Sequence, residues 1–405
     1  MKQGRRRVLI YSHDSFGLGH LRRCRAIAHA LAEHDPDLSV LILSGSPIIG
    51  SFTFHPNVDF VRVPGVIKLR DGGYSSLSLR IDITQTLAIR GSIIRHTAAI
   101  FDPDLFIVDK EPLGLRGEVE ETLKLLKDRG TPLVLGLRDV MDEPAILAPE
   151  WERKHVVPAL EKLYDEIWVY GLYDFCDPLE GIELSPVIRR KMIYTGYLGR
   201  HVPAGAPLNN DIPSYPYILV TPGGGGDGEN LVDWVLRAYE TDPDLPHRAL
   251  IVLGPFMAKE RQMEFLARAA ALPAIEAITF EARLEALMQS ALGVVAMGGY
   301  NTFCEILSFN KRALLVPRTV PRLEQFIRAS RAQELGLVRM LADDGERRAG
   351  AMVAALRALP EQSLPLSTAI PGLLDGLPTV NRLMDRAHFR SRPSLTPAPV
   401  RGLQA

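Results

Sequence analysis

The sequence predicts an α/β fold of two parallel-sheet domains facing across a crevice, and three observations predict it. Short apolar, β-branched runs alternate with longer amphipathic ones, which is the pattern of βα units. Several of the short runs are apolar almost throughout, as strands covered by helices on both faces must be. The alternation also breaks once, in a stretch of turn residues, and then restarts, dividing the 405 residues into two.

In the first half the strand candidates are Arg7–Ser12, Leu38–Ser44, Val58–Val63, Asp104–Asp109, Pro132–Arg138, Glu166–Tyr170 and Lys191–Thr195. Helix candidates between them include Leu21–His34, Arg116–Asp128 and Glu152–Leu163. Residues 200–215 carry Pro-Ala-Gly-Ala-Pro, Asn-Asn-Asp and Pro-Ser-Tyr, turn chemistry without periodicity, which reads as a linker. Strands then resume at Tyr217–Thr221, Ala249–Leu253, Ile275–Phe280, Gly293–Met297 and Ala313–Val316. This makes residues 1–199 one domain and 216–359 the second. Residues 360–405 form an extension with one helix near Thr379–Ala387 and a frayed tail from Arg390. Open parallel sheets bind ligands at the carboxyl ends of their strands, so the crevice between the domains is the expected site.

Composition narrows the function. Lys plus Arg is 47 and Asp plus Glu is 48, a net charge of −1, which offers no global field for nucleic acid. Three scattered cysteines (Cys24, Cys176, Cys304) suit neither a disulfide framework nor a four-thiolate zinc site, and fit a cytoplasmic setting. No apolar run approaches the ~18 residues of a membrane span, and the apolar segment after the basic Met1–Arg7 is too short for a signal peptide. Peripheral contact with the inner face of a membrane stays open. Arg5–Arg7, Arg22, Arg23, Arg25 and the run carrying Ile89, Arg90, Ile93, Ile94 and Arg95 could meet anionic lipid, or be a solvated basic face and a packed helix.

Asp-Pro-Asp occurs three times, at Asp35–Asp37, Asp102–Asp104 and Asp242–Asp244. Paired carboxylates can hold a divalent metal, but each copy follows a helix, and Asp and Pro are turn residues. They read as turns, and no metal site is expected.

Three glycine-rich loops follow strands. In Gly17-Leu18-Gly19-His20 the glycines let the backbone approach a ligand at a helix start. Arg22 takes the place of the third glycine of a dinucleotide fingerprint, and Ser44-Gly45-Ser46 ends the second strand without an acid for a ribose, which argues against NAD. His20 is either a general base or a helix-capping histidine. The second loop, Gly223-Gly224-Gly225-Gly226, lacks the Lys-Ser/Thr ending of a P-loop and points to close approach of a ligand or of the opposite domain. In the third, Gly298 and Gly299 end a strand, and Asn301 and Thr302 open a helix whose N–H groups could receive a phosphate. Glu305, one turn on, could accept both hydroxyls of a ribose; alternatively, Asn301 caps the helix and Glu305 is its reciprocal partner.

Gly299-Tyr300-Asn301-Thr302-x-x-Glu305, then a strand ending in Pro317 and the pair Glu324-Gln325, resembles the donor-binding signature of the two-domain (GT-B) nucleotide-sugar glycosyltransferases. The resemblance is to the family 28-like group that includes the peptidoglycan N-acetylglucosaminyltransferase and the glucosyl- and glucuronosyltransferases. It extends over about residues 1–340, with the two earlier glycine loops in matching order. It implies two Rossmann-like domains, with the acceptor on the first and the nucleotide sugar, a UDP-sugar by family habit, on the second. Glu305 would hold the donor ribose; the backbone from Gly298 to Thr302, with the Asn301 and Thr302 side chains, the diphosphate. Glu324 and Gln325 would touch the sugar hydroxyls, Phe280 and Glu281 would lie beside the base, and His20 would deprotonate the acceptor hydroxyl. Met297 stands where plant-type members have a phosphate-contacting histidine, and Glu324 replaces the usual Asp.

The reading that follows is an inverting, metal-independent hexosyltransferase that needs no cofactor beyond its nucleotide-sugar co-substrate and acts on a glycan or lipid-linked hydroxyl. Asp109, at a strand end, is a candidate to orient His20, or else a loop or cap residue. The alternatives are a nucleotide-sugar epimerase or hydrolase on the same frame and a non-catalytic sugar-nucleotide-binding protein.

Overall fold

The computed structural model describes residues 6–14, 18–69, 73–202, 212–224 and 226–386. The first sheet is built from β1 (Arg7–Ser12), β2 (Ser39–Ser44), β3 (Val58–Arg62), β6 (Leu105–Asp109), β7 (Leu133–Arg138), β8 (Glu166–Tyr170) and β9 (Met192–Tyr194), with a small hairpin of β4 (Val66–Lys68) and β5 (Tyr74–Ser76) beside it. Its helices are α1 (Gly19–His34), α2 (Ile83–Phe101), α3 (Glu120–Asp128), α4 (Pro144–Arg153), α5 (Val156–Lys162) and α6 (Pro186–Lys191). The strand order is β3-β2-β1-β6-β7-β8-β9 and every neighbouring pair is parallel.

The second sheet repeats the plan. It holds β10 (Tyr217–Thr221), β11 (Arg248–Val252), β12 (Ile275–Ile278), β13 (Gly293–Ala296), β14 (Arg312–Leu315) and β15 (Arg339–Met340), in the order β12-β11-β10-β13-β14-β15, again all parallel. Its helices are α7 (Glu229–Thr241), α8 (Lys259–Ala270), α9 (Leu284–Ser290), α10 (Tyr300–Ser308), α11 (Glu324–Glu334) and α12 (Ala349–Ala358). In each sheet the chain reverses its direction of growth beside the first strand, β1 next to β6 and β10 next to β13, and open sheets leave a ligand crevice at such a switch.

Two sequence expectations need revision. The helix expected over Glu152–Leu163 is two, α4 and α5, separated by His155 in a left-handed conformation at φ 51°. The helix expected from Arg116 begins at Glu120, after a short 3₁₀ turn in which Arg116 is itself left-handed. The helix expected near Thr379–Ala387 forms as α13 (Gly376–Arg386), packs on α1 of the first domain and buries Val380, Leu383 and Met384. One apolar core therefore runs from β1 and α1 through α13 into α10, where Phe303 meets Phe175 and Tyr197 with ring centroids 5.8 and 5.2 Å apart. Most of the linker (203–211) and the tail beyond Arg386 lie outside the described residues.

The Asp-Pro-Asp copies form turns. Asp35, Asp102 and Asp242 each cap the end of a helix, and Asp35 and Asp242 pair with Arg6 and Arg357. Four residues proposed for a basic lipid-facing surface lie elsewhere. Arg22 and Arg23 have acidic partners in the crevice, Ile94 is core, and Arg90 is buried against Glu118 at 2.6 Å. Among the described residues no helix is long and apolar enough to cross a membrane.

Candidate active site

The walls of the crevice come from both domains and enclose about 440 Å³. On the first wall, adjacency of β1 and β6 brings their carboxyl ends together, with Tyr11 abreast of Val108. His20, in the first turn of α1, therefore meets Asp109, the last residue of β6, although 89 positions separate them. The His20 Nδ1 to Asp109 Oδ2 distance is 2.5 Å. Arg23, one helical turn along, donates to Asp109 Oδ1 and Oδ2, both at 2.7 Å. Burial by itself would raise the Asp109 carboxyl, but Arg23 and His20 hold it well below the usual carboxylate range. Burial lowers the His20 pKa, and the pull of Asp109 offsets this only in part, so the imidazole is neutral at neutral pH. Nδ1 faces the Asp109 carboxylate at 2.5 Å and Arg23 Nη2 at 3.1 Å; the shorter contact, to the carboxylate, holds the proton on Nδ1 and leaves Nε2 as the basic nitrogen.

Sequence reasoning missed the supports of this wall. Asp14 accepts from the Leu21 backbone N–H at 3.1 Å and from the Ser44 hydroxyl at 2.5 Å, tying the start of α1 to the end of β2. His13, which burial lowers to about 3, stays neutral and sets its ring edge-to-face against His20 at 5.5 Å.

The second wall is the set of loops after β10, β11, β12, β13 and β14. Gly223 is left-handed (φ 82°), and its carbonyl and Gly224 lie so near Gly254 that a side chain there would approach them to 2.7 Å. Gly225 lies outside the described residues. Gly223, Gly224, Phe280, Glu281, Gly299, Asn301, Thr302, Glu324 and Gln325 all line the crevice, as does His20 opposite them. Glu281 accepts from the Arg283 N–H at 2.9 Å. Glu324 accepts from Arg318 Nη2 at 2.6 Å and keeps a second, buried oxygen without a partner. Gln325 accepts from the Arg318 N–H at 3.3 Å.

Three residues differ from expectation. Gly298 is set back behind the wall, left-handed at φ 80°, with its carbonyl accepting from Arg328 at 3.0 Å. Asn301 does not cap α10: the N-cap is Gly299, and the Asn301 amide bridges the domains, donating to the Gly19 carbonyl at 2.9 Å and accepting from Arg200 at 3.0 Å. Glu305 is fully buried and faces the domain interface, not the cavity. Its Oε1 lies 2.5 Å from Arg22 Nη2, which also pairs with Glu285 at 2.9 Å, while Oε2 has no partner. The reason is helical phase. One turn into α10, Glu305 projects towards α1, so the first domain supplies a cation to an otherwise isolated carboxylate. Burial raises this carboxyl to about 7 even with Arg22 beside it.

Neither a protein-family profile nor a curated protein matches the sequence. Solved structures do. The calicheamicin glycosyltransferase CalG4 superposes with a TM-score of 0.60 over 97% of this chain and 100% of its own, at 14% identity. UGT2 of Phytolacca americana, solved with UDP-2-fluoro-glucose and pterostilbene, gives 0.58 over 94% of both chains at 15% identity. MurG of Acinetobacter baumannii gives 0.53 over 94% of this chain and 99% of its own at 11% identity. The fold thus defined is that of the two-domain glycosyltransferases. In particular, the chain has the GT-B architecture, two Rossmann-like domains facing across a crevice.

Proposed function

We propose that this protein is a glycosyltransferase that moves a hexosyl group from a nucleotide diphosphate sugar, a UDP-sugar in our reading, to an acceptor hydroxyl on a glycan or lipid-linked substrate. The observation that carries the proposal is one crevice with a carboxylate-oriented, neutral histidine on one wall and the glycine-fronted start of α10 on the other. Glycosyl transfer needs those two things. The acceptor hydroxyl must lose a proton as it attacks, and a neutral imidazole in contact with it takes that proton at Nε2. The leaving diphosphate gains charge as the glycosidic bond breaks, and fixed N–H donors at a helix start meet that charge without reorganising. One such donor can be worth ~10²–10³ in rate. Direct displacement by the acceptor inverts the anomeric centre, and metal-independence follows from leaving-group stabilisation by the protein's own dipoles and cations.

Asp109 acts through His20 as a positioning residue, and Arg23 keeps Asp109 ionised. In this reading Glu324 and Gln325, both on the crevice wall, bond to sugar hydroxyls. Glu305 reaches a donor pentose only if Arg22 withdraws, so in this reading the interdomain ion pair and the donor compete for one carboxylate.

The test is His20→Ala with a panel of nucleotide sugars and acceptors. Transfer should fall to background while donor binding, read by thermal shift, persists. Undiminished transfer removes the base assignment. Release of free sugar or of an epimer by the wild type without acceptor identifies a hydrolase or an epimerase instead.

A further inference from the structure

Among the described residues that line the crevice, charged side chains have partners with one exception. Arg22 pairs with Glu285 and Glu305, Arg23 with Asp109, and Arg318 with Asp227 and Glu324. The side chain of Arg138, the last residue of β7, forms no hydrogen bond or ion pair among the described residues, and its Nε is shut off from solvent without a partner. A guanidinium withdrawn from water is costly unless its donors are met, so a half-buried arginine with nothing to hold marks a place where something else is held.

Its surroundings indicate what. The Tyr300 ring, at the first residue of α10, has the Arg23 and Arg328 guanidinium groups at 5.6 and 5.8 Å from its centroid. Both of these cations bear on Arg138, and burial with their repulsion lowers it to about 10, so it stays charged. Glu324, across the cavity on α11, attracts it but forms no ion pair with it, and Glu324 keeps its own unpartnered oxygen. Arg138 from the first domain and Glu324 from the second thus both line the crevice, each keeping a polar atom without a partner among the described residues. Met297 is apolar on the same wall, so the second domain brings no side-chain cation from the position before the glycines.

We propose that Arg138 receives an oxyanion of the bound substrate and so completes, from the first domain, a binding site that the second domain leaves short of positive charge. The inference rests on the nucleotide-sugar reading above. The oxyanion has two sources, the donor diphosphate or a carboxylate on the transferred sugar. The chemistry is shared, since a guanidinium forks onto either, which a lysine ammonium does not do.

The experiment titrates full-length wild type, Arg138→Gln and Arg138→Lys with pyrophosphate, uridine, UDP, UDP-glucose and UDP-glucuronate by calorimetry, and records the melting temperature of each protein. If the diphosphate is the source, Arg138→Gln weakens pyrophosphate and UDP by about 10–100-fold and leaves uridine unchanged, with Arg138→Lys in between. If the sugar carboxylate is the source, UDP is unaffected and the preference of the wild type for UDP-glucuronate over UDP-glucose disappears in Arg138→Gln. The melting temperature should hold in both variants, because Arg138 has no partner to lose. A variant that binds all five ligands like the wild type, or that melts well below it, overturns the inference while the nucleotide-sugar reading stands. Pyrophosphate lost with Arg138 in a protein that binds no UDP-sugar keeps the inference and removes that reading. A wild type that binds none of the ligands ends both.

Discussion

Replacing Asp109 with asparagine separates charge from shape at the centre of the crevice. The wild-type carboxylate accepts from Arg23 at both oxygens and from His20 at one of them. Asparagine has a single oxygen, which the Arg23 guanidinium claims, so its NH₂ group turns towards His20 Nδ1. A donor there forces the proton of the imidazole onto Nε2 and removes the basic nitrogen from the acceptor side. Loss of one charge-assisted hydrogen bond alone is worth about 1.5–3 kcal/mol, or roughly 10–100-fold. The wrong tautomer extends the loss towards ~10⁴, the scale seen for an Asp-to-Asn change behind a catalytic histidine. We expect kcat to fall by ~10²–10⁴ with KM for the donor little changed. The pH profile gives an independent reading. Burial lowers His20 and Asp109 raises it, so the acid limb of the wild type lies below the ordinary histidine value of about 6.5. Taking the carboxylate away moves that limb further to acid, not to alkali. Initial rates from pH 4.5 to 9, with circular dichroism to verify folding, test both statements. A folded variant within tenfold of wild type at neutral pH, or with its acid limb shifted upward, refutes the reasoning.

Two further outcomes follow from the charges buried between the domains. Burial raises Glu305 to about 7, above the ~4.3 of an unfolded chain, so the stability tied to its protonated form is complete below pH ~4.3 and is lost as pH rises through 7. Glu305→Gln should therefore gain in melting temperature relative to wild type between pH 5 and pH 8, and an unchanged difference across that range counts against it. Arg328 of α11 holds Asp139 of the first domain through bonds of 2.8 and 2.6 Å, with both side chains at 0% exposure. Arg328→Ala leaves that carboxylate unpaired and should cost about 3–5 kcal/mol in chemical denaturation, while a cost under 1 kcal/mol would mean the pair contributes little.

The parallel strands were legible because both their faces are buried, which forces continuous apolar runs such as Val8–Tyr11 and Leu105–Val108. The hairpin of β4 and β5 was not, since strands of three residues carry too little alternation to register. At the crevice, the glycine loops and the Glu324-Gln325 pair showed in the residue order, because close backbone approach demands glycine and helix starts have their own chemistry. Arg138 did not, although a charged residue closing an apolar strand at its carboxyl end is a signal that could have marked it.

Read by itself, the chain determines its two-domain α/β design, its element types and the loops that border the crevice, all of which depend on neighbours within a few residues. Only the tertiary structure decides which distant groups meet. The crossover that sets β6 beside β1 joins Asp109 to His20, and the docking of α1 on α10 gives Glu305 to Arg22, 283 positions away. Pairings of that kind are fixed by strand order and by the angle between domains, and burial then decides which charges are satisfied and which, like Arg138, are left open.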